Sequence, residues 1–327
     1  MNYRNFRGTA VSEIGLGTWQ LGSADWGVVK PEEAFAILSA YIDGGGNLID
    51  TADVYGMGVS ESLIGEFLKT RKETIHVATK LGRRQDNGNG WPRNFSYDSM
   101  RRHIEDSLKR LGLDQLFLEQ LHCIPTDELR RGEVFKHLRR FQEEGLIRQW
   151  GVSVETLDEA LICLEHDGLA SLQIIFNIFR QHIAEPLFSK ASEKGVALIA
   201  RVPLASGLLT GKFTADTRFE TTDHRNFNAD GAAFNVGETF SGIDFRSGVA
   251  LVEEVKNIFP EGEMARYALR WILDFPEITT VIPGASRTSQ VYSNLAAASL
   301  PPLNGAVHSE LRILYDAKIR PLIRGSY

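Results

Sequence analysis

Cysteine is nearly absent from this sequence of 327 residues, which contains only Cys123 and Cys163. Their spacing matches no metal-binding motif. We therefore interpret both as ordinary thiols of a protein in a reducing compartment, and we expect no bound metal.

Long apolar runs and an excess of positive charge are also absent. No run of about 18 apolar residues occurs, and residues 1–7 lack the apolar core of a secretion signal. The formal net charge is −6, from 36 Lys and Arg against 42 Asp and Glu. Because phosphate binding requires a basic surface, this charge disfavours nucleic acid as a partner. We expect a soluble, cytoplasmic protein with neither a nucleic-acid nor a membrane partner. The sequence gives no indication of the oligomeric state.

Short apolar segments alternate with longer amphipathic ones along most of the chain. Eight segments predict β-strands: 13–17, 47–50, 75–80, 116–121, 147–152, 172–176, 196–200 and 279–282. Helical periodicity occurs between them, in Pro31–Asp43, Tyr97–Leu111, 129–142, Leu157–Leu164 and 289–298. This alternation predicts an α/β fold, a single (β/α)8 TIM barrel over residues 1–327. An open doubly wound sheet is the alternative, but no Gly-x-Gly-x-x-Gly follows an early strand.

Two segments lie outside this repeat. Residues 3–13 predict an N-terminal β-hairpin that turns through Arg7-Gly8-Thr9 and covers the barrel floor. Residues 205–246, after the seventh predicted strand, have no periodicity and are rich in phenylalanine. A long aperiodic segment of this kind is typical of a functional loop, so we expect it to fold over a ligand. Its phenylalanines are Phe213, Phe219, Phe227, Phe234, Phe240 and Phe245.

Polar side chains follow three consecutive predicted strands. Asp50 ends the second strand and leads to Tyr55, Lys80 ends the third, and His122 follows the fourth. Each residue alone has an ordinary structural explanation, as a cap, a core aromatic, a buried ion pair or a core histidine. The active site of a β/α barrel lies at the carboxyl ends of its strands, so the four side chains are expected to meet there.

These four residues suit proton transfer to a carbonyl oxygen. A phenol has a pKa near 10, and a neighbouring ammonium can lower the pKa by roughly 1–3 units. We therefore predict that Tyr55 is a general acid, that Lys80 lowers its pKa, and that Asp50 holds Lys80 in place. His122 would hydrogen-bond the substrate oxygen. A positioned general acid typically contributes ~10²–10⁴-fold in rate.

In these four residues and the segments around them, the chain resembles the aldo-keto reductase superfamily, most of all its bacterial NADP(H)-dependent members. The resemblance implies a barrel that binds NADP(H) in extended form and a tetrad of Asp50, Tyr55, Lys80 and His122. It implies that Tyr55 is the acid in reduction and the base in oxidation. The matching segments are Gly15-Leu16-Gly17-Thr18-Trp19, Ile49-Asp50-Thr51-Ala52-Asp53-Val54-Tyr55-Gly56, Ala78-Thr79-Lys80, Gln120-Leu121-His122, Gly151-Val152-Ser153 and Ile282-Pro283-Gly284.

The resemblance also implies a set of cofactor-binding residues. Ser153 and Gln173 match positions that hold the nicotinamide carboxamide, and Arg287 is our candidate for the 2′-phosphate because guanidinium geometry suits phosphate oxygens. Residues 203–212 match the pyrophosphate-binding stretch, and Trp19 falls where an aromatic lines the substrate pocket. The cofactor set is Gly17, Thr18, Ser153, Gln173, Arg201, Pro203, Leu204, Gly207, Leu209, Gly211, Lys212, Gly284, Ser286, Arg287, Gln290 and Asn294, with Ser286, Arg287, Gln290 and Asn294 at the adenosine end.

The chain departs from the family pattern at two positions. Val154 follows Ser153 where many relatives have asparagine, so one contact to the nicotinamide amide is missing or replaced. Arg201 stands where many relatives have an aromatic that stacks on the nicotinamide. An arginine can stack through its guanidinium plane or pair with a phosphate, and the sequence does not decide between these.

Three functions compete. The first is an NADP(H)-dependent reductase of aldehydes and ketones that prefers NADPH to NADH. The second is an aldolase that forms a Schiff base on Lys80, which the neighbouring Asp50 disfavours because a salt bridge keeps the amine protonated. The third is a non-catalytic, cofactor-sensing subunit on the same scaffold, as in potassium-channel β subunits. The sequence favours the reductase and does not identify its substrate.

Overall fold

Eight parallel strands form the centre of the fold. The computed structural model of the chain describes residues 1–22, 26, 29–84 and 93–326. The parallel strands follow one another in chain order, each paired with its neighbours in sequence. They are β3 (Leu16–Gly17), β4 (Leu48–Asp50), β5 (His76–Leu81), β6 (Leu116–His122), β7 (Ile147–Ser153), β8 (Ser171–Ile175), β9 (Ala197–Arg201) and β10 (Ile278–Val281).

Backbone hydrogen bonds between the first and last of these strands close the barrel. The amide of Gly15 donates to the carbonyl of Val281 over 2.8 Å, and the amide of Val281 donates to Glu13 over 3.0 Å. A further bond, 3.1 Å long, joins Gly17 to Pro283. The predicted first strand, 13–17, therefore takes part in the barrel, although only its last two residues form a regular β-strand.

Helices alternate with the strands, and they include the predicted Pro31–Asp43, Tyr97–Leu111 and Leu157–Leu164 with the same bounds. They are α1 (Trp19–Gly22), α2 (Pro31–Asp43), α3 (Val59–Leu68), α4 (Tyr97–Leu111), α5 (Thr126–Arg131), α6 (Glu133–Glu143), α7 (Leu157–Leu164), α8 (Ala184–Glu193), α9 (His224–Phe227), α10 (Phe245–Ile258), α11 (Met264–Leu273), α12 (Thr288–Ala296) and α13 (Gly305–Leu314). Among the described residues, no helix is long and apolar enough to cross a membrane.

Helix ends follow local sequence signals. α2 starts with Pro31, which needs no hydrogen-bond partner for its nitrogen in the first turn. α4 begins after Ser96, whose hydroxyl accepts from the amide of Ser99, and ends at Gly112 in the left-handed region. The single helix predicted over 129–142 is wrong, because Gly132, with φ of 74°, separates α5 from α6.

The N-terminal hairpin covers the amino end of the barrel. Strands β1 (Tyr3–Phe6) and β2 (Thr9–Ser12) pair antiparallel around a turn in which Arg7 and Gly8 both have positive φ. Phe6 and Val11 are fully buried and join the small apolar cluster inside the barrel. The ring of Phe6 packs against Phe117 of β6, with 5.4 Å between centroids. The other barrel end, where the strands terminate, stays open to a cavity.

The segment after β9 is long and mostly irregular, as predicted. It contains only short helical turns between Ala205 and Gly242, and α10 begins at Phe245. Several of its phenylalanines pack on one another, and Phe240 is fully buried. The centroid of Phe240 lies 5.1 Å from that of Phe245 and 5.8 Å from that of Phe219. This aromatic core gives the segment a defined path across the open end of the barrel.

Candidate active site

The four predicted catalytic side chains meet at the carboxyl ends of β4, β5 and β6. The ammonium nitrogen of Lys80 lies 2.5 Å from Oδ1 of Asp50 and donates to the carbonyl of Thr51 over 2.8 Å. It also lies 3.4 Å from the hydroxyl of Tyr55. Tyr55 is half-buried and lines the cavity together with Asp50 and His122, whereas Lys80 is only 1% exposed and stands behind them.

Asp50 is fixed by donors from across the barrel. Besides Lys80, its carboxylate accepts from Nε2 of Gln173 over 2.7 Å and faces Nε2 of Gln120 at 3.4 Å. These bonds hold the carboxylate in place, and its charge compensates that of the buried ammonium. Burial opposes the charged form of Lys80, but Asp50 and Tyr55 outweigh burial, so the pKa of Lys80 is raised. Lys80 is therefore a fixed cation at neutral pH.

The pKa of Tyr55 differs from the sequence prediction. Burial raises the pKa of Tyr55, and this effect exceeds the opposing effect of Lys80. The carboxylates of Asp50 and Glu238 add to the increase. The prediction that Lys80 lowers the pKa is right for its own contribution and wrong for the sum. Without a ligand, Tyr55 is a protonated phenol at neutral pH, the form that a general acid needs.

His122 is a neutral imidazole. It is 7% exposed, and burial together with the positive charges of Arg83, Lys80 and Arg201 holds its pKa well below the ordinary value. Its Nδ1 is buried and has no hydrogen-bond partner among the described residues. The His122 ring is perpendicular to the Tyr55 ring, with 5.9 Å between centroids. A neutral imidazole can hydrogen-bond a substrate oxygen without competing with Tyr55 as the acid.

Aromatic side chains form the wall of the cavity beside Tyr55. Trp19 stacks on Tyr55 at 6.0 Å between centroids, with 15° between the ring planes. Trp19 also contacts Trp26, at 5.6 Å, and two rings from the long segment, His224 at 5.0 Å and Phe234 at 5.9 Å. The long segment therefore does fold over the site, as its aromatic content suggested. Trp19 lines the cavity beside Tyr55.

One cavity of about 1460 Å³ is lined by nearly all of the predicted cofactor residues. Asp50, Tyr55 and His122 line one end of it, which we call the catalytic end. Ligand pockets for small molecules are typically ~300–1,000 Å³, so this cavity has room for a dinucleotide and a substrate together. Leu209 is the exception, because its side chain is fully buried and does not line the cavity. The lining includes Gly17, Thr18, Ser153, Gln173, Arg201, Pro203, Leu204, Gly207, Gly211, Lys212, Gly284, Ser286, Arg287, Gln290 and Asn294.

The cavity lining includes two exposed cationic side chains, Arg287 and Lys212. Lys212 lies close enough to Glu263 for the two charges to interact. Arg287 precedes the first turn of α12. Nearby, Gln290 accepts from both the amide and the hydroxyl of Ser286, at 2.8 and 3.2 Å. A cation at a helix start, such as Arg287, forms a favourable environment for phosphate groups.

The two departures from the family pattern meet in the structure. Nη2 of Arg201 donates to the carbonyl of Val154 over 3.0 Å and lies 3.6 Å from Sγ of Cys123. Nη1 of Arg201 forms an ion pair with Glu238 of the long segment. The Val154 side chain is buried in the core. The Arg201 side chain therefore contacts the backbone at Val154, so the two departures are neighbours in the structure.

A cluster of four charged residues at the barrel mouth was not predicted as a whole. This mouth cluster consists of Arg83, Glu155, Arg201 and Glu238, all of which line the cavity. Nη2 of Arg83 lies 2.7 Å from Glu155, which also accepts from Asn235 over 3.1 Å. Arg83 and Glu155 closely follow β5 and β7, so the strand-end argument could have found them. Glu238 lies in the aperiodic segment, where no sequence pattern pointed to it.

Comparison with known proteins identifies the family of this chain. A model of the aldo/keto reductase family matches residues 13–316. The chain is a member of the aldo/keto reductase family. The aldo-keto reductase YhdN of Bacillus subtilis is 30% identical over 299 residues, which cover 89% of this chain and 87% of that protein. Membership of this family makes the chain an oxidoreductase.

Solved structures of family members share the whole fold. A glycerol dehydrogenase from Gluconobacter oxydans superposes with a TM-score of 0.81 at 28% identity, covering 100% of this chain and 98% of the other. An aldo-keto reductase from Bacillus halodurans, in its holo form, gives a TM-score of 0.79 at 26% identity, with 96% of each chain covered. The (β/α)8 fold with its N-terminal hairpin is therefore confirmed.

Proposed function

We propose that this oxidoreductase reduces aldehydes or ketones to alcohols with NADPH, and that Tyr55 protonates the carbonyl oxygen. The observation that carries the proposal is the position of the Tyr55 hydroxyl. It faces the cavity, 3.4 Å from an ammonium nitrogen that is itself 2.5 Å from Asp50. Since Lys80 is a fixed cation, it stabilises the phenolate that remains once Tyr55 has given up its proton.

Each member of the tetrad has one role in this proposal. Tyr55 donates its hydroxyl proton to the substrate oxygen as the carbonyl carbon is reduced. Lys80 compensates the charge that then develops on the phenol oxygen, and Asp50 keeps Lys80 protonated and in place. His122, neutral and perpendicular to Tyr55, hydrogen-bonds the same oxygen and orients the carbonyl. In alcohol oxidation the roles reverse, and Tyr55 is the base.

The cavity suits NADPH, which when bound supplies the hydride. Arg287 and Lys212 are exposed cations that line the cavity, the donor type that binds phosphate groups. Arg287 would hold the 2′-phosphate and so favour NADPH over NADH, while Lys212 would hold the pyrophosphate. Ser153 and Gln173 line the catalytic end, where they would hold the carboxamide. We further propose that the protein works in the cytoplasm, in keeping with two unpaired cysteines.

Turnover of NADPH and of NADH with a panel of aldehydes, ketones and sugars tests this proposal. We expect oxidation of NADPH by at least one carbonyl compound, and slower oxidation of NADH at equal concentration. Tyr55→Phe is the control that separates catalysis at this site from contaminating activity. Tight NADPH binding without turnover on any carbonyl would instead favour the cofactor-sensing subunit.

The aldolase alternative has less support. A Schiff base requires a neutral, accessible amine. The amine of Lys80 is held protonated by Asp50, and Lys80 is not among the residues that line the cavity. Borohydride trapping of a substrate carbonyl on Lys80 would reverse this judgement.

A further inference from the structure

The guanidinium of Arg201 lies across the barrel mouth. Arg201 ends β9, yet its Nη2 reaches Val154, after β7, and Cys123, after β6. It therefore extends past β8, the strand that carries Gln173 and lies between β9 and β7 in the sheet. Cys123 directly follows His122, so the positive charge of Arg201 lies close to the catalytic end of the cavity.

Glu238, in the long segment after β9, supplies the negative charge that pairs with Arg201. Its carboxylate pairs with Nη1 of Arg201, and Arg201 and Arg83 hold the pKa of Glu238 below its ordinary value although burial opposes this. Both partners are 7% exposed and both line the cavity. Solvent and salt screen such a pair only weakly. The pair thus places one fixed charge of each sign beside the catalytic end.

A nicotinamide ring changes its charge by one unit during the reaction. The reduced ring is neutral and the oxidised ring is a cation, and the reacting atoms must approach to ~3–3.5 Å for hydride transfer. The ring therefore works next to the substrate carbon whose oxygen contacts Tyr55 and His122. A fixed cation near it weakens binding of the oxidised form, and a fixed anion strengthens it. Neither charge has a comparable effect on the neutral reduced ring.

We infer that the Arg201–Glu238 ion pair sets the relative affinity of this site for oxidised and reduced cofactor. The inference rests on the proposed use of a nicotinamide cofactor. The positive charge of Arg201 weakens binding of the oxidised ring, and the negative charge of Glu238 partly offsets this effect. With both charges present, the oxidised cofactor can still bind for the reverse reaction. The pair thereby determines which cofactor form occupies the site more strongly, without altering the overall equilibrium of the reaction.

Arg201 also has an evident structural role, which the test must separate from this one. The pair joins the long segment to the barrel, so its loss loosens the wall of the cavity. A structural effect weakens the binding of both cofactor forms together. An electrostatic effect changes the ratio of the two dissociation constants, and its sign depends on which partner is removed.

The experiment measures dissociation constants of NADP⁺ and NADPH by fluorescence titration, and compares their ratio among variants. We expect Arg201→Gln to lower the ratio of the NADP⁺ constant to the NADPH constant by on the order of tenfold, because the anion of Glu238 remains. Glu238→Gln should raise the ratio by a similar factor. Arg201→Lys keeps the charge and should leave the ratio near that of the wild type, even where both affinities fall.

A remote ion pair provides the matched control. Arg270 is buried, pairs with Asp274 at 2.9 Å and does not line the cavity. Arg270→Gln should lower thermal stability without changing the ratio. An unchanged ratio in both Arg201→Gln and Glu238→Gln, or a change of the same sign in both, would overturn the inference. Wild-type protein that binds neither cofactor form would instead contradict the proposed function.

Discussion

Replacement of Lys80 by methionine removes the only charge of the tetrad that favours ionisation of Tyr55. The two side chains are similar in length, so the change removes the cation without opening a large cavity. In the native site the ammonium lies 3.4 Å from the Tyr55 hydroxyl and 5.0 Å from its ring centroid. Because Lys80 is 1% exposed, water screens this interaction poorly. Without Lys80, the already raised pKa of Tyr55 should rise by a further ~1–3 units.

The expected effect on catalysis follows from this pKa. Each unit corresponds to about 1.4 kcal/mol between the two protonation states of the phenol. A rise of ~1–3 units should therefore lower the rate of hydride transfer in Lys80→Met by at most ~10–10³-fold. Alcohol oxidation requires deprotonated Tyr55, so the acidic limb of its pH–rate profile should move to higher pH. Single-turnover stopped-flow absorbance of NADPH measures both effects.

Folding must be separated from chemistry in this variant. Removal of Lys80 leaves Asp50 buried with an uncompensated charge, and breaking such a pair typically costs about 3–5 kcal/mol. Gln173 still donates to Asp50 and limits that cost. The double variant Asp50→Asn, Lys80→Met removes both charges and should regain stability while remaining slow. Wild-type hydride transfer and an unchanged pH profile in either variant would refute the role assigned to Lys80.

Three further predictions concern the rest of the chain. Burial raises the pKa of Glu119 well above its ordinary value, so the folded state keeps a proton that the unfolded state releases as pH rises. Glu119→Gln should therefore be more stable than the wild type in urea unfolding at about pH 8, and the gain should vanish near about pH 4; equal stability at both would contradict this. Gly132 has φ of 74°, and Gly132→Ala should lower the free energy of unfolding by about 1–2 kcal/mol in the same assay. Arg287→Gln should raise KM for NADPH about tenfold, since a charge-assisted hydrogen bond contributes ~1.5–3 kcal/mol; steady-state kinetics with NADH, which should not change, provides the control.

The barrel could be predicted because apolar segments of strand length alternate with helical periodicity over most of the chain. α2 and α4 were predicted with their observed ends, since Pro31 and Gly112 mark them in the sequence. The break at Gly132 was missed, because an isolated glycine inside a helical pattern does not by itself reveal a left-handed φ. The path of the long segment could not be predicted either, because the phenylalanines that pack together are not regularly spaced in the sequence.

The tetrad could be predicted because consecutive parallel strands deliver their last residues to the same rim. The sequence could not predict how opposing effects on the pKa of a single group add up. The pKa of Tyr55 depends on how deeply the phenol is buried as well as on Lys80, and burial is a property of the whole fold. Likewise, Arg201 was seen as an unusual residue, but its partner Glu238 lies 37 positions away in a segment without a pattern.

Comparison of Tyr55→Phe with the wild type tests the central claim most directly. The measurement is the single-turnover rate of NADPH oxidation by a carbonyl substrate that the wild type reduces, together with the dissociation constant of NADPH. Phenylalanine keeps the ring that stacks on Trp19 and removes only the hydroxyl. We predict a loss of ~10²–10⁴-fold in rate with cofactor binding nearly unchanged. Hydride transfer at the wild-type rate in Tyr55→Phe would contradict the assignment of Tyr55 as the proton donor.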